Sequence, residues 1–259
     1  LLFCKNKLLM HTNTMNELAP KIIMENEHLL VIDKPAGLLV HPDGKRDEYS
    51  LVDWILNNRP EMVGIGEPLK MEYKGEDLVI DRPGIVHRLD RETSGVMILA
   101  KDQKTYEHLK SQFQDHTIRK EYIAIVSGYV EDRGIVNSPI GRSSRDIRIW
   151  KAGRGARGVL RDAVTRYVTQ KKLIDKAGNK YAVVTLLPET GRTHQLRVHM
   201  KLIQKTIIGD GLYAPKTVGM LGFNRTALHA RKITFKDINN KEYSIEAELP
   251  ADFKKILNP

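Results

Sequence analysis

Cysteine is almost missing from this chain: Cys4 is the only one in 259 residues. That excludes a disulfide framework and a cysteine-rich zinc site, and it suits a reducing compartment such as the cytoplasm. Long apolar runs are missing as well, so no segment reads as a membrane span. The opening Leu1-Leu-Phe-Cys-Lys-Asn-Lys-Leu-Leu-Met10 is short, broken by lysines and without a cleavage-site pattern, which argues against a signal peptide. Acidic residues are in deficit, 32 against 42 Lys and Arg, for a net charge of +10. Such an excess favours a polyanionic partner through phosphate contacts and counterion release, although a soluble protein can be basic for no such reason. Repeats, low-complexity segments and an evident interdomain linker are absent too. What remains is a 41% hydrophobic chain able to bury a substantial core.

Local patterns place the elements. Leu29–Asp33 reads as a strand closed by Lys34-Pro-Ala-Gly37, followed by a second extended piece at Leu38–His41 and a turn at Pro42-Asp-Gly44. Ser50 reads as the N-cap of a short helix with Leu51, Trp54 and Ile55 on one face, ended by Arg59-Pro60. Residues 61–81 read as a polar surface excursion. Ile85-Val86 and Val96–Ala100 read as strands on either side of a loop, and 102–114 as a helix with Tyr106, Leu109 and Phe113 at helical spacing. Further strands are expected at Lys120–Ser127, Asp162–Thr169, Tyr181–Leu187, Ile233–Phe235 and Tyr243–Glu246, with a helix from Thr193 to about Leu202. Strands with few helices and no βαβ rhythm predict an α+β fold around a mixed, largely antiparallel sheet.

Chemistry concentrates on the loop between the two strands. Asp90 stands between Pro83-Gly84 and Thr93-Ser-Gly95, flanked by Arg88 and Arg91. A loop on a rigid scaffold is where reactive side chains are presented, and neighbouring positive charge favours the ionised, nucleophilic carboxylate. An isolated loop aspartate, however, more often only stabilises a turn. The run His87-Arg-Leu-Asp-Arg-Glu-Thr-Ser-Gly95 resembles, at every fixed position, the catalytic signature of the RluA-type pseudouridine synthases. That resemblance implies that Asp90 is the indispensable catalytic group and that Arg88 enters the RNA where the target base leaves. His87 is grouped with Arg88 as a substrate-binding residue.

Other segments extend the likeness. Arg119-Lys-Glu-Tyr-Ile-Ala-Ile-Val-Ser-Gly128 is similar to the family's second motif, which implies that Tyr122 stacks on the target base near the aspartate. Gly191-Arg-Thr-His-Gln-Leu-Arg-Val-His199 resembles its third, which implies that Arg197 is the ion-pair partner of Asp90. His194, Gln195 and His199 are read as helix-positioning, hydrogen-bonding residues rather than metal ligands, because no His-Glu-x-x-His spacing or acidic cluster accompanies them. Gly209-Asp-Gly-Leu-Tyr213 matches a structural segment, and Leu228-His-Ala230 implies that Leu228 lines the uracil pocket. The likeness runs from about Leu29 to Leu249. Arg142–Arg157, with its spaced arginines, glycines and Trp150, suits a mobile arm that follows phosphates or a solvated loop about equally.

The family implies isomerisation of specific uridines to pseudouridine in structured RNA, ribosomal or transfer, without a cofactor or metal. Three routes suit a lone aspartate: attack on the ribose, its deprotonation, or attack on the uracil ring. The alternative is a non-catalytic RNA-binding or ribosome-assembly protein with the same fold, which leaves the complete aspartate signature without a task. A nucleoside-hydrolysing enzyme would usually show a second catalytic carboxylate, and Glu92 or Asp210 is too weakly placed to nominate. The expected organisation is an N-terminal extension, 1–20, poorly ordered, ahead of one catalytic domain, 21–259, with a true start at Met10, Met15 or Met24. With residues 1–20 ahead of that domain, the small RNA-binding domain that many relatives carry there is not expected. A monomer is expected.

Overall fold

The computed structural model describes residues 18–42, 48–73, 76–146, 148–153 and 155–257, and the backbone of these segments packs as two compact units. The first runs up to Thr117 and takes in Phe235–Ser244; the second is Ile118–Thr234 with Ile245–Pro259. The expected turn at Asp43-Gly44 and the extension up to residue 17 lie outside the described residues.

In the first unit, β1 (Lys21–Glu25), β2 (Leu29–Lys34), α1 (Leu51–Asn58), β3 (Leu69–Tyr73), β4 (Glu76–Ile80), β5 (Ser94–Ala100) and α2 (Gln103–Gln114) follow in order. β2 pairs antiparallel with β5 in an unbroken register from Leu29 opposite Ala100 to Lys34 opposite Gly95. Both strands are apolar along nearly their whole length, and Leu29–Ile32 and Met97–Ala100 are all fully buried. A strand covered on both faces needs a continuous apolar run rather than an alternating one, and each such side chain contributes roughly 1.5–3 kcal/mol. β1, unmarked by pattern, pairs with the outer side of β2 through a bulge near Ile22. Its last residue is tied down by charge: Arg59 reaches Glu25 through Nε at 3.0 Å and Nη2 at 2.7 Å, and Lys101 through Nζ at 2.8 Å. Hydrogen bonds from Arg59 and Lys101 hold the Glu25 carboxyl at about 2.

Helix α1 starts as its sequence predicts. Ser50 and Asp53 form a capping box, and Leu51, Val52, Trp54 and Ile55 are buried. α2 begins on Asp102, whose side chain accepts from Thr105 N. Two expectations need correction. Leu38–His41 is not a strand and makes only an isolated bridge from Leu39 to Ser50, the N-cap of α1, since Lys34 and the turn after it redirect the chain. Residues 61–81 are more than a polar excursion: Met62 is fully buried, and β3 pairs with β4 as an antiparallel hairpin. Ile85, expected within a strand, makes a single bridge to Leu99.

The second unit holds β6 (Arg119–Ser127), β7 (Arg133–Asn137), β8 (Ile140–Ser143), β9 (Trp150–Ala152), β10 (Ala156–Arg161), β11 (Val164–Ile174), β12 (Lys180–Pro188) and α3 (Gln195–Leu202). β13 (Leu228–Lys236) and β14 (Glu242–Glu246) carry the chain across the unit boundary and back, and α4 (Ala251–Leu257) follows. β13, β6, β12, β11 and β7 lie side by side in that order, and each pairing is antiparallel. Ala124–Val126, Tyr181–Val184 and Leu186 pack with Leu196 and Met200 of α3 and with Phe223 and Phe253 as one core. The arginine-rich stretch before β11 is corrected too. It is neither a mobile arm nor an open loop but the three-stranded antiparallel sheet β10-β8-β9, anchored by Ile140, Ala152 and Ala163 against Val198 and Tyr213. Its short strands carry no run of apolar residues, which is why the pattern missed them. The α+β architecture with antiparallel pairing is as expected.

Gly84 has φ of +66°, and a Cβ there would stand 2.1 Å from the Ala100 carbonyl oxygen. That close approach carries two hydrogen bonds, Gly84 N to Ile65 O at 2.9 Å and Ala100 N to Gly84 O at 2.9 Å. Gly84→Ala must push backbone against backbone in a left-handed conformation, and is expected to lose at least ~2 kcal/mol of stability in urea unfolding.

Candidate active site

The loop after Gly84 is held at several points. His87 Nε2 accepts from the Ile98 amide of β5 at 3.0 Å, and the ring stacks on Phe113 of α2 with centroids 4.7 Å apart. Phe113, read as a core position, thus serves the loop. Leu89 is buried, and Thr93 N closes a turn on the Asp90 carbonyl at 3.1 Å. The other tie comes from the Lys34-Pro-Ala-Gly37 turn. Lys34 is fully buried, and its ammonium donates to the carbonyls of Pro35 at 2.8 Å, Leu38 at 2.9 Å and Arg91 at 3.1 Å. Gly37 N donates to the same Arg91 carbonyl at 2.9 Å, and Arg91 Nε returns a bond to Gly37 O at 3.2 Å. The side chain of Arg91 is committed to Glu48 at 2.8 Å. Arg88, by contrast, is exposed, and Asp90 is half-buried between the two arginines. The backbone around Asp90 is therefore fixed by neighbours from three segments, as a preorganised reactive group requires.

Arg197 lies in the second unit, near the start of α3, and is buried. The helix begins later than the pattern suggests: Thr193 precedes it and His194 stands at its N-cap with φ of +55°. Nor is α3 two-sided, since every residue from Gln195 to Met200 is buried. Arg197 Nε and Nη2 grip Asp210 at 2.7 and 2.9 Å, a bidentate pair with Asp210 almost wholly enclosed. Asp210 also accepts from the amides of Leu212 at 3.0 Å and Tyr213 at 2.9 Å. Burial pulls its carboxyl upward, but the Arg197 hydrogen bonds and charge with the two amides outweigh that and hold it below the ordinary aspartate range. Gly209 makes the turn possible: it has φ of +72°, and a Cβ there would meet the Arg225 carbonyl at 2.0 Å.

Tyr213 completes this cluster. Its ring faces the Arg197 guanidinium at 4.9 Å, and its hydroxyl receives Trp150 N at 2.9 Å and pairs with His194 Nδ1 at 2.9 Å. Trp150 in turn lies under the Arg142 guanidinium at 4.3 Å. The remaining motif residues are hydrogen-bonded as the sequence suggests. Gln195 links Thr190, Arg192, Val164 and Thr165, and His199 spans Thr165 Oγ1 at 2.9 Å and Ser138 O at 3.0 Å. Among the described residues no group of three or more His, Cys, Asp or Glu side chains is placed to hold a metal ion. Nor is any helix among the described residues long and apolar enough to cross a membrane.

Tyr122 and Leu228 are brought together on one face. Tyr122 opposes Ala230 and Ala124 opposes Leu228 across β6 and β13, so alternation puts all four on the same side of the sheet. Leu228 is buried and Tyr122 half-buried against the same core. Two residues that sequence reasoning passed over stand near these motifs. Asp210 was weighed only as a second catalytic carboxylate and as part of a structural segment, although a glycine-flanked aspartate before Tyr213 is the signal of a partner for Arg197. Lys120, two residues before Tyr122, is pulled down to about 8 by burial, with its ammonium 3.5 Å from the Thr190 carbonyl.

Removing the charge from a buried ion pair strands its partner. Asp210→Asn is expected to cost about 3 kcal/mol at neutral pH. Because the folded-state carboxyl is more acidic than the unfolded one, its contribution is full above the ordinary aspartate range and fades as pH falls through it. The wild-type and Asp210→Asn stability curves, measured by urea unfolding from neutral to acid pH, should therefore converge in acid.

Comparison with known proteins identifies the family. Residues 28–202 match the family model for RNA pseudouridylate synthase. A ribosomal large subunit pseudouridine synthase D of Zymomonas mobilis is 36% identical over 256 residues, 95% of this chain and 74% of that protein. An uncharacterized RNA pseudouridine synthase of Bacillus subtilis, YlyB, is 33% identical over 91% of this chain and 71% of its own length. Among solved structures, human RNA pseudouridylate synthase domain containing 1 shares the fold with a TM-score of 0.69 at 22% identity, covering 90% of this chain and 84% of that one. Human RNA pseudouridylate synthase domain containing 4 aligns with a TM-score of 0.65 at 25% identity, covering 97% and 95%. With its aspartate loop, its buried arginine and these relatives, the chain belongs to the RNA pseudouridylate synthase family.

Proposed function

We propose that this chain isomerises specific uridines in structured RNA, with large-subunit ribosomal RNA favoured over transfer RNA, and that Asp90 is the carboxylate responsible. The observation that carries this reading is the complete His87–Gly95 signature on a loop held at its backbone by Lys34 and Gly37 and at the His87 ring by the Ile98 amide. The name carried by the Zymomonas relative supports the choice of RNA. A monomer acting in the cytoplasm, with no metal, is the simplest setting for it.

The reaction breaks the bond from uracil N1 to ribose C1′ and forms one from C5 to C1′. C5 gives up its proton and N1 gains one. Nothing is oxidised and no group is imported, so the chemistry calls for no cofactor. The target base must first leave its stack, at a cost of a few kcal/mol, roughly, that contacts in the pocket must offset. In this reading Arg88 fills the gap left by the base and His87 borders it. Tyr122 stacks on the uracil, and Leu228 beside it lines the pocket that retains the freed ring. Arg197, aimed by Asp210, keeps Asp90 ionised and directed at the ribose or the ring. The domain expected for this work is residues 21–259.

Asp90→Asn keeps the shape and removes the charge. It is expected to abolish tritium release from RNA labelled at uracil C5 while RNA affinity changes little. Unchanged turnover would overturn the assignment of Asp90. Testing ribosomal and transfer RNA separately identifies the substrate class, and RNA binding by the wild type without any tritium release would favour the non-catalytic alternative.

A further inference from the structure

Two nitrogen atoms near the Asp90 loop are buried and bonded to nothing. Arg82 Nε and His41 Nδ1 are both closed off from solvent without a hydrogen-bond partner. Leaving such a group unsatisfied costs about 1–3 kcal/mol, and more when it is charged. Arg82 lies just before the strained Gly84, and His41 on the segment between the Lys34 turn and α1. The charges of Arg82 and Arg88 both reach His41, and that of Arg88 reaches Arg82, so the three groups share one neighbourhood of the first unit. Burial and these two guanidiniums hold the imidazole neutral, down to about 3, which leaves it one N–H to donate. Burial and Arg88 likewise lower the Arg82 guanidinium against a smaller opposing effect of Tyr106, and among the described residues no carboxylate acts on either group.

Elsewhere in this protein buried or half-buried arginines are satisfied. Arg197 has Asp210 and Arg225 has Asp252, each gripped through Nε at 2.7 Å. Two mutually repelling guanidiniums and an imidazole, with orphaned nitrogens on Arg82 and His41 and no acid among the described residues, lack one component: an anion. Its oxygens must serve several N–H donors from different directions, which a phosphodiester does and a single carboxylate does less well.

We propose that Arg82, together with His41 and Arg88, forms a binding site for one backbone phosphate of the RNA beside the target uridine. The placement beside the target rests on Asp90 being the catalytic group; the anion site itself does not. Arg88 reaches from the loop towards the displaced base, and Arg82 and His41 hold the strand that the base has left, which fixes the register of the nucleotide over the aspartate.

The test compares wild type, Arg82→Gln and Arg82→Lys. In Arg82→Gln, KM for RNA should rise about tenfold with a far smaller change in kcat. The slope of log affinity against log salt should flatten by roughly 0.7–0.9, the share of one phosphate. Arg82→Lys, which keeps the charge, should retain most of the salt slope and covers the case in which the amide variant does not fold. The second probe is RNA carrying one neutral methylphosphonate at each linkage flanking the target in turn. One such linkage should weaken wild-type binding about tenfold and leave Arg82→Gln unaffected. A wild-type salt slope in a folded Arg82→Gln, a lost slope in Arg82→Lys, or equal sensitivity of wild type and Arg82→Gln to every neutral linkage would overturn the proposal. If the wild type releases no tritium, the catalytic reading fails, whereas the salt slopes still decide the anion site.

Discussion

A guanidinium buried beside a carboxylate is a commitment the rest of a fold must respect, and in the second unit Arg197 and Asp210 impose it. Taking both ions out of water costs several kcal/mol each, roughly, and only near-ideal geometry and extra donors offset it. Here the extra donors are the amides of Leu212 and Tyr213, and the geometry depends on the left-handed turn at Gly209. Tyr213 then spreads the constraint. Through its hydroxyl it ties down Trp150 at the start of β9 and His194 at the head of α3. One ion pair thus positions a helix, a turn and the arginine-rich sheet, and it sets the direction of the guanidinium that the proposed chemistry uses.

The first unit solves a different problem, how to hold the loop that carries Asp90 still. Its answer is to bond the backbone of the loop and the His87 ring to neighbouring segments. The Arg91 carbonyl receives both Lys34 and Gly37, and His87 satisfies the Ile98 amide that the loop's departure from β5 would otherwise leave unpaired. These ties reach the residues on either side of Asp90. Loop positions held this way lose little conformational entropy on binding substrate, which is the sense in which the site is preorganised.

Legibility followed physical pattern. The strand at Leu29, the Ser50 cap, α2 and the strand at Tyr122 were readable because apolar spacing and capping chemistry are local signals. The sheet β10-β8-β9 was not, since its strands are short, polar and held by distant partners such as Val198 and Tyr213. Helix α3 was expected to start two residues too early, at Thr193, and its burial was not legible: buried all round from Gln195 to Met200, it has no stripe to read. The site residues came from motifs and the family likeness rather than from periodicity. Asp210, Lys120, His41 and Arg82 escaped because their meaning lies in what surrounds them in space. A sequence shows an arginine; only the structure shows whether an acid has been built beside it.

That distinction sharpens what the net charge of +10 means. Many of the cations are already spent on structure, as Arg59 and Lys101 are on Glu25, Arg166 on Glu189, Arg225 on Asp252 and Arg231 on Glu246. Pairs of this kind add nothing to the field a polyanion meets, because each positive charge has a negative one beside it. What is left to meet a polyanion includes Arg82, whose Nε has no partner, and the exposed Arg88 on the loop that carries Asp90. Two like charges held close together destabilise the free protein slightly and favour whatever anion relieves them. In the proposed reading this couples recognition to chemistry: the phosphate that relieves the repulsion would belong to the strand whose base is delivered to the aspartate.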